Sequence, residues 1–386
     1  MVVYWATRLR GFLKHVSTHT PGVQFVDNGR YYEVSGWKSK VKSKLIRSKM
    51  LNPIGMFQII NVSGKNCDCY GSFNRFLNTD KPYFIYLENP TALYHYTLGR
   101  IRTGAGKKRF QKCLENPNLK YIVCMSEACR GTFEKINMPV PKAVGMSTIY
   151  PMVPANTYAD EGKIRSKSYQ ETLHCLYCVQ GKRFYTKGGQ DVLEAVKRLQ
   201  DDGCNIHLTV ITNLSDLRED TLALIRGQQQ MTLHDFTFSY QQMEQIYAKT
   251  AVLLQPSSDD SYALTVLEAM KGGCAILGSQ LYAIPEMVKD QENGILIEPK
   301  YRIFTRDNMP VTEGWGPFNK KRLASRPSPR YVGDIQAAVR KFYEDRDMLY
   351  RCALRSQQIA NTKFGESSIC EQWQAVWKAV KGDESL

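Results

Sequence analysis

The stretch QPSSDDSYALTVLEAMKGG, residues 255–273, combines the end of an apolar strand, an acidic polar loop and the start of a helix. Such a turn directs free backbone N–H groups and the positive end of a helix dipole towards one point, which favours an anion. Glu268 lies about one turn into this helix. A carboxylate there is typical of nucleotide sites, where it accepts hydrogen bonds from ribose hydroxyls. A surface Glu is also favoured near a helix N-terminus, so Glu268 by itself leaves both interpretations open.

Strand-like and helix-like segments alternate along the whole chain. The predicted strands are VVYWAT, VQFV, MFQIINV, YFIYL, YIVCM, LHCLYCV, IHLTVIT, DFTFS, AVLLQP, CAILG and GILIE, and helical spacing is clearest in RLRGFLKHVSTH, QDVLEAVKRL, QQMEQIYAKT and CEQWQAVWKAV. This α/β alternation predicts parallel sheets with helices on both faces, and 386 residues suffice for two such domains. Residues 147–170 are predicted to form the crossing between the domains, and residues 300–330 an insertion or mobile loop.

The opening stretch resembles the donor-site signature of retaining glycosyltransferases of family 4, the glycosyl transferases group 1, which have the GT-B fold. The matching residues are Pro256, Ser257, Leu267, Glu268, Ala269, Met270 and Gly273. Asp260 stands where the family usually has its first Glu, and residues 261–263 replace a Gly-aromatic-Gly loop. Because Asp is one methylene shorter and the new loop is bulkier, we expect these departures to affect the choice of donor sugar rather than the reaction class.

The resemblance implies the GT-B architecture, in which two Rossmann-like, doubly wound domains face a cleft. Residues 1–155 would form the N-terminal, acceptor-binding domain and residues 156–360 the C-terminal, donor-binding domain. Residues 361–386 would form a C-terminal helix that returns to the first domain. The resemblance is good over residues 120–300, whereas residues 1–100 match only in their alternation of strands and helices.

A basic segment, VQGKRFYTKGGQDVLEA, resembles the family's Gly-Arg…Lys-Gly motif. Lys187 matches the motif's Lys, Lys182 stands where Arg is usual, and Arg183 is one place later. Fixed cations stabilise the negative charge that grows on a departing diphosphate. The resemblance therefore implies catalytic roles for Lys182, Arg183, Lys187, Asp260 and Glu268. It implies donor binding by Gly181, Ser257, Asp259, Ser261, Tyr262, Ala263, Leu264, Thr265 and Glu268, with Asp259 or Asp260 on the hydroxyls of the sugar.

The segment YFIYLENPTALYHY is the predicted acceptor wall, since it places polar and aromatic groups after a strand. Glu88, Asn89 and His95 are its candidate contacts to the acceptor or the donor sugar. His95 matches a family His near the donor sugar, and a loop histidine with a structural role is the alternative. Ser126 and Glu127 follow the next strand and are interpreted as helix capping.

The sequence implies neither a metal nor a cofactor. The resemblance implies no protein nucleophile, and the basic residues would perform the charge neutralisation that Mg²⁺ provides elsewhere. Cys175 and Cys178 lie in a predicted strand, where a spacing of three points them to opposite faces. Cys67 and Cys69 lie in a loop-like segment without a second pair nearby. We interpret the eleven cysteines as small buried residues in a reducing compartment.

The net charge of +15 belongs to the N-terminal part, since residues 1–150 hold 23 Lys and Arg against 8 Asp and Glu, and the remainder holds 29 of each. Its densest run, residues 38–51, predicts a basic amphipathic helix suited to an anionic membrane surface. Solvated surface charge is the alternative, and nucleic acid is not expected because aromatic residues do not interleave with the basic ones. The chain lacks a spanning apolar run and a leader-like N-terminus, so we expect a cytoplasmic protein, peripheral at a membrane.

The leading hypothesis is a retaining glycosyltransferase that moves a sugar from a UDP- or GDP-linked donor to a glycan, glycolipid or other acceptor. One alternative is a GT-B nucleotide-sugar epimerase, which would convert the donor without an acceptor and should show paired carboxylates acting as acid and base. Another is a non-catalytic protein that binds polyanions or membranes through residues 38–49.

Overall fold

A computed structural model of the chain describes residues 1–27, 48–136, 138–180 and 182–382. The chain divides into two compact units. The first comprises Met1–Met152, Asp307–Met309 and Glu366–Leu386, and the second comprises Val153–Arg306 and Pro310–Gly365. The chain therefore leaves the first unit after Met152 and returns to it with its last helix.

Each unit contains one six-stranded parallel sheet among the described residues. In the first unit the order is β2-β1-β4-β6-β7-β8, and β3 and β5 form a separate pair. These strands are β1 Val2–Trp5, β2 Gln24–Asp27, β3 Ile60–Val62, β4 Cys69–Phe73, β5 Leu77–Thr79, β6 Tyr83–Leu87, β7 Leu119–Cys124 and β8 Gly145–Thr148. In the second unit the order is β11-β10-β9-β12-β13-β14. These strands are β9 Leu173–Val179, β10 Ile206–Thr212, β11 Met231–Asp235, β12 Val252–Gln255, β13 Ala275–Ser279 and β14 Gly294–Ile297.

Helices follow most of the strands, as parallel connections require. They are α1 Gly11–His19, α2 Gly104–Leu114, α3 Glu127–Lys135, α4 Glu161–Ser168, α5 Gly189–Asp201, α6 Glu219–Arg226, α7 Tyr240–Lys249, α8 Leu264–Lys271, α9 Ile284–Met287, α10 Pro317–Leu323, α11 Pro329–Glu344, α12 Arg346–Thr362 and α13 Glu366–Lys381. The prediction of parallel sheets with alternating helices is confirmed in both halves of the chain.

The last helix, α13, packs on the sheet of the first unit through its aromatic face. Trp373 and Trp377 stack with their ring centroids 4.9 Å apart, and both contact the edge of Phe84 in β6, at 5.7 and 5.6 Å. Their spacing of four residues places both rings on one side of the helix, so the sequence already indicated this buried face.

The order of the second sheet creates a switch point between β9 and β12. Strand β9 pairs with β10 on one side and with β12 on the other, so the strands that follow β10 and β12 are added to the sheet in opposite directions. In open α/β sheets the loops at the carboxyl ends of two such strands border a crevice that binds ligands. The described residues of these two loops are 180, 182–188 and 256–263.

Three expectations from the sequence need correction. The DFTFS strand is wrong, because β11 ends at Asp235. The loop-like segment at Cys69 begins β4, where Gly71 accommodates the Trp5 ring: a Cβ atom there would lie 3.0 Å from it. The stretch 300–330 contains α10 and is fixed by the ion pairs described below. By contrast, the predicted crossing at 147–170 does contain the division between the two units, after Met152, together with the last two residues of β8 and all of α4.

The predicted basic helix at residues 38–51 lies outside the described residues, except for its last part, where Lys49–Leu51 form a short 3₁₀ turn. All eleven cysteines have free thiols, and all but Cys370 are buried. In the described ranges of the chain, no helix has both the length and the apolar character that crossing a bilayer requires.

Candidate active site

Asp260 is the centre of a side-chain network in the loop after β12. Its Oδ1 atom accepts a hydrogen bond from Lys187 Nζ at 2.7 Å, and its Oδ2 atom accepts one from Gln255 Nε2 at 3.1 Å. The Asp260 and Lys187 side chains are only 7% and 13% exposed. The Asp that replaces the family's first Glu therefore reaches the predicted cation of the neighbouring loop, in spite of its shorter side chain.

The backbone around Gly188 explains why Lys187 comes so close. Gly188 has a φ of 85°, in the left-handed region, and a Cβ atom there would lie 2.5 Å from the carbonyl oxygen of Pro256. Only glycine permits this approach without displacing one of the two loops. The loop is also closed internally, since the Lys187 N–H donates to Arg183 O at 2.9 Å. Lys182 and Arg183 are exposed, and Gly181 lies outside the described residues.

Asp259 lies next to Asp260 but has a different partner. Its Oδ1 atom forms an ion pair with Nζ of Lys320, from helix α10, and its backbone N–H donates to Ser257 Oγ at 3.1 Å. Burial by itself would raise the pKa of Asp259, but Lys320, Arg183 and Lys187 outweigh this effect and lower it. Asp259 is therefore an ionised carboxylate among several cations.

Glu268 is half-buried on α8 and is held by a tyrosine. Tyr247 Oη, from α7, donates a hydrogen bond to Glu268 Oε2 at 3.0 Å. Burial raises the pKa of Glu268, and the Tyr247 hydrogen bond offsets part of this rise. Both residues line a small cavity together with Asn156, Met243 and Lys271. The second carboxylate of the predicted site is thus held in orientation through its Oε2 atom.

The loop 261–263 ends in a backbone conformation that favours glycine. Ala263 has a φ of 65° and a ψ of 66°, which is the left-handed conformation that glycine adopts readily and alanine does not. Ala263 is the N-cap of α8 and offers no side-chain cap to the first N–H groups, at Leu264 and Thr265. Tyr262 and Ala263 are buried, and Ser261 is half-buried. The left-handed turn therefore leaves the start of α8 without a competing side-chain acceptor.

A buried ion pair attaches the stretch 300–330 to the start of α5. Lys300 Nζ lies 3.1 and 2.9 Å from the two carboxylate oxygens of Asp191, whose Oδ1 also accepts the Ser328 N–H at 2.8 Å. The two side chains are 8% and 1% exposed. Burial raises the pKa of Asp191, although Ser328 and Lys300 lower it in part. The expectation of a mobile loop is therefore wrong where Lys300 and Ser328 are concerned.

The candidates of the first unit also have partners, and two of the three accept hydrogen bonds from backbone N–H groups. Asn89 Oδ1 accepts the Thr91 N–H at 2.8 Å and so caps a 3₁₀ turn, Pro90–Tyr94. His95 is buried, and its Nε2 atom accepts the backbone N–H of Gln58 at 3.1 Å. Glu88 Oε1 accepts a hydrogen bond from Tyr96 Oη.

Ser126 caps α3, since its Oγ accepts the Cys129 N–H at 3.0 Å, as the sequence indicated. In the described part of the chain, no group of three or more His, Cys, Asp or Glu residues is placed to hold a metal ion. The charged side chains described above for the second unit are cations paired with carboxylates.

Three residues that pair with the predicted site residues were not predicted from the sequence. The sequence predicts only an amphipathic helix around Tyr247 and only the end of a strand at Gln255. Lys320 lies in the stretch interpreted as an insertion. Gln255 carried a usable signal, because it is a polar residue that directly follows an apolar strand-like run, and in the structure it is fully buried.

Residues 175–304 match the family model of glycosyl transferases group 1. The chain is a glycosyltransferase. The matched region of this glycosyltransferase contains both loops of the switch point, with Lys187, Asp260 and Glu268, whereas Lys320 lies beyond its end.

Solved structures resemble the glycosyltransferase over nearly its whole length. HepE from Anabaena, in complex with UDP and glucose, is 12% identical with a TM-score of 0.58, and the match covers 98% of this chain and 99% of that one. WaaG, a glycosyltransferase involved in lipopolysaccharide biosynthesis, is 12% identical with a TM-score of 0.59 and coverage of 99% and 100%. Sucrose-phosphate synthase from Thermosynechococcus elongatus is 10% identical with a TM-score of 0.63 and coverage of 99% for both chains. These likenesses show the GT-B fold, and a search of curated sequences gave no match.

Proposed function

We propose that this glycosyltransferase takes its sugar from a nucleoside diphosphate sugar, UDP- or GDP-linked, and transfers it with retention to a glycan, glycolipid or other acceptor. The observation that supports this proposal is the pair of Lys187 and Asp260, which joins the two loops of the switch point at 2.7 Å. The loop that carries Asp260 leads directly into the helix of Glu268.

Each part of a nucleotide sugar has a counterpart among these residues. The uncapped start of α8, at Leu264 and Thr265, is suited to a phosphate oxygen, because helix N–H groups and the helix dipole favour anions. Glu268 is suited to the ribose, whose hydroxyls donate to a carboxylate. Asp260 is suited to hydroxyls of the sugar. It is held from two sides, by Lys187 and Gln255, and so presents its oxygens in a fixed orientation.

The cations carry the chemistry in this proposal. The bond between the anomeric carbon and the phosphate oxygen breaks with its electron pair moving to that oxygen, and the sugar becomes oxocarbenium-like. Lys187, with Arg183 and Lys182 on the same loop, stabilises the charge that develops on the diphosphate. The acceptor hydroxyl attacks from the face that the diphosphate leaves and passes its proton to the departing phosphate oxygen, so that the configuration is retained.

The first experiment is a thermal-shift screen of the purified protein against UDP, GDP, ADP and their sugars. A ligand at 100 times its dissociation constant adds about 2.7 kcal/mol of stability, which is readily measured. We expect UDP or GDP to raise the melting temperature. If none of these nucleotides changes it, the proposed donor site is contradicted.

Glu268→Gln tests the ribose contact in the same assay and by calorimetry. We expect donor affinity to fall by about 1–3 kcal/mol, the usual range for a lost charged hydrogen bond. Glu344→Gln is the matched control, because Glu344 is exposed on α11 of the same unit. Equal donor affinity of Glu268→Gln and Glu344→Gln would count against the role of Glu268.

Stereochemistry and acceptor dependence test the reaction itself. With the donor identified in the screen, nuclear magnetic resonance of the product follows the configuration of the anomeric carbon, and we expect it to be the same as in the donor. An epimerase would instead convert the donor without any acceptor. Donor that changes its sugar in the absence of an acceptor would therefore contradict the transfer reaction.

The basic run at residues 38–49 is proposed to attach the protein to an anionic membrane surface, with about 1 kcal/mol for each basic residue near the lipid. Sedimentation with vesicles that contain anionic lipid, before and after replacement of the six basic residues by Gln, tests this attachment. If sedimentation is unchanged, the run is a solvated charge cluster.

A further inference from the structure

The stretch 299–328 forms an ordered arm. It belongs to the second unit except for Asp307–Met309, which group with the first unit. Lys300 anchors its start through the buried pair with Asp191. Further on, the rings of Phe304 and Tyr282 stack at 4.1 Å, and Trp315 meets Phe304 edge-on at 5.4 Å. These contacts fix the arm before α10 begins at Pro317.

Helix α10 directs Lys320 back to the loop after β12. Lys320 Nζ pairs with Asp259 Oδ1 and lies 5.4 Å from the centre of the Trp315 ring. The Lys320 side chain is 21% exposed and the Asp259 side chain 12%. Lys320 is thus held near the surface of the loop but is still reached by solvent.

Lys320 therefore adds a cation from the arm to the cations of the loop that follows β9. Lys187 pairs with Asp260 at 2.7 Å, and Lys320 pairs with the adjacent Asp259. Arg183 is also close enough to Asp259 to stabilise its charge. Three cations and two carboxylates converge at one place, which leaves an excess of positive charge for an anion.

We propose that Lys320 is a further ligand of the donor's diphosphate, and that Asp259 holds it in place until the nucleotide arrives. This inference rests on the proposed function. A diphosphate has more negative charge and more acceptor oxygens than one carboxylate, so Lys320 gains by exchanging Asp259 for the phosphate. The ammonium group sits on a flexible stem, which allows a short movement from one acceptor to the other.

The exchange makes Asp259 a competitor of the nucleotide. Without the nucleotide, the pair of Lys320 and Asp259 closes the arm on the loop. With the nucleotide bound, Lys320 turns to the phosphate, and Asp259 becomes available for a hydroxyl of the sugar. Removal of Asp259 therefore acts in opposite directions on a nucleoside diphosphate and on the complete sugar donor.

The test compares a nucleoside diphosphate with its own nucleoside by calorimetry: UDP with uridine, or GDP with guanosine where GDP is the nucleotide that raises the melting temperature. We expect Lys320→Gln to weaken the diphosphate roughly tenfold, as for a lost charged hydrogen bond, and to change the nucleoside less than twofold. Lys321→Gln is the matched control, since it removes the same charge from an exposed position on α10. Equal loss for nucleotide and nucleoside, or no loss for either, would overturn the proposal.

Asp259→Asn tests the competition. We expect it to tighten the diphosphate several-fold in the wild-type background and to give a smaller gain when combined with Lys320→Gln. An equal gain in both backgrounds, or no gain in either, would show that Asp259 does not compete for Lys320. Lys320→Arg keeps the charge and should retain most of the affinity.

The role of Lys320 can be wrong even where the proposed function is right. If the wild-type protein binds the nucleotide and Glu268→Gln weakens it, but Lys320→Gln does not, then the donor site stands and the role of Lys320 is wrong. If the wild-type protein binds none of the nucleotides, the proposed donor site is wrong, and the role of Lys320 is wrong with it.

Discussion

The carboxyl edges of the two parallel sheets use their polar residues in different ways. In the second unit, Lys187 and Lys320 pair with carboxylates of a neighbouring loop, and both partners are side chains. In the first unit, Asn89 and His95 accept hydrogen bonds from backbone N–H groups. A pair of charged side chains can exchange one member for a ligand, whereas a backbone N–H that loses its acceptor stays buried and unsatisfied. We therefore expect the charged pairs to be available for binding and Asn89 and His95 to maintain their loops, whereas Glu88, which accepts from a tyrosine side chain, lies outside this contrast.

The largest expected effect comes from the buried pair of Lys300 and Asp191, which a ligand should not replace. Lys300→Met removes the partner of buried Asp191, and we expect the free energy of unfolding to fall by about 3–5 kcal/mol, because an isolated charge then stays buried. Denaturant titration measures this loss. Lys321→Met, at an exposed position, should remain within about 0.5 kcal/mol of the wild type. If Lys300→Met lowers the free energy of unfolding by less than about 1 kcal/mol, this pair is no more important for stability than the pairs that can exchange one member for a ligand.

Asn89→Ala should affect stability rather than donor binding. It removes the acceptor for the Thr91 N–H, and we expect unfolding to become easier by about 0.5–2 kcal/mol, the usual range for a lost cap. Nucleotide affinity should stay the same, measured at a temperature where the variant is folded. If instead Asn89→Ala keeps its stability and loses transfer activity, Asn89 contacts a substrate as the sequence suggested, and the comparison of the two edges fails at this residue.

Ala263→Gly should stabilise the protein by about 1 kcal/mol. The left-handed conformation of Ala263 is strained for a residue with a Cβ atom and unstrained for glycine. The gain should appear as a higher midpoint of denaturation with an unchanged slope. Ala269→Gly, in the middle of α8, is the contrasting variant and should destabilise. A lower midpoint for Ala263→Gly would mean that the methyl group's packing outweighs the strain.

The smallest expected effect concerns pH. Glu268 must be ionised to accept from ribose, and its pKa is raised by burial, so nucleotide affinity should fall with decreasing pH at a higher midpoint than for an exposed Glu near 4.3. Tyr247 donates to Glu268 and so lowers this pKa. Tyr247→Phe should therefore move the midpoint further up and weaken binding about threefold near neutral pH, or roughly 0.7 kcal/mol. A midpoint that does not move would assign Tyr247 to packing alone.

The sequence predicted the repetitive parts of the fold better than the exceptional ones. Strands such as LHCLYCV and helices such as QDVLEAVKRL follow from their periodicity, because burial imposes that periodicity on every such element. Strand β4 was missed because Asp68 and Gly71 are turn-forming residues. In the structure Gly71 instead makes room for Trp5, a partner that is distant in the chain.

The motif around Glu268 could be predicted from the sequence, whereas some of the side chains that pair with its carboxylates could not. Lys187, Asp260 and Glu268 could be proposed from spacing and resemblance, since the loops and the helix that carry them have local signatures. Tyr247 and Lys320 have no such signature, because a tyrosine in an amphipathic helix and a lysine in a basic stretch are ordinary surface features. Only their distances to Glu268 and Asp259 distinguish them.

Composition and pattern alone thus establish an α/β chain of parallel sheets with an anion-suited loop before α8, because local periodicity and turn chemistry need no distant partner. The tertiary structure adds which cation meets which carboxylate. Strand β12 lies beside β9 although β10 and β11 come between them in the chain, and this order brings Lys187 to Asp260. Ion pairs depend on distances of a few ångströms, and such distances are fixed by strand order and packing rather than by position in the sequence.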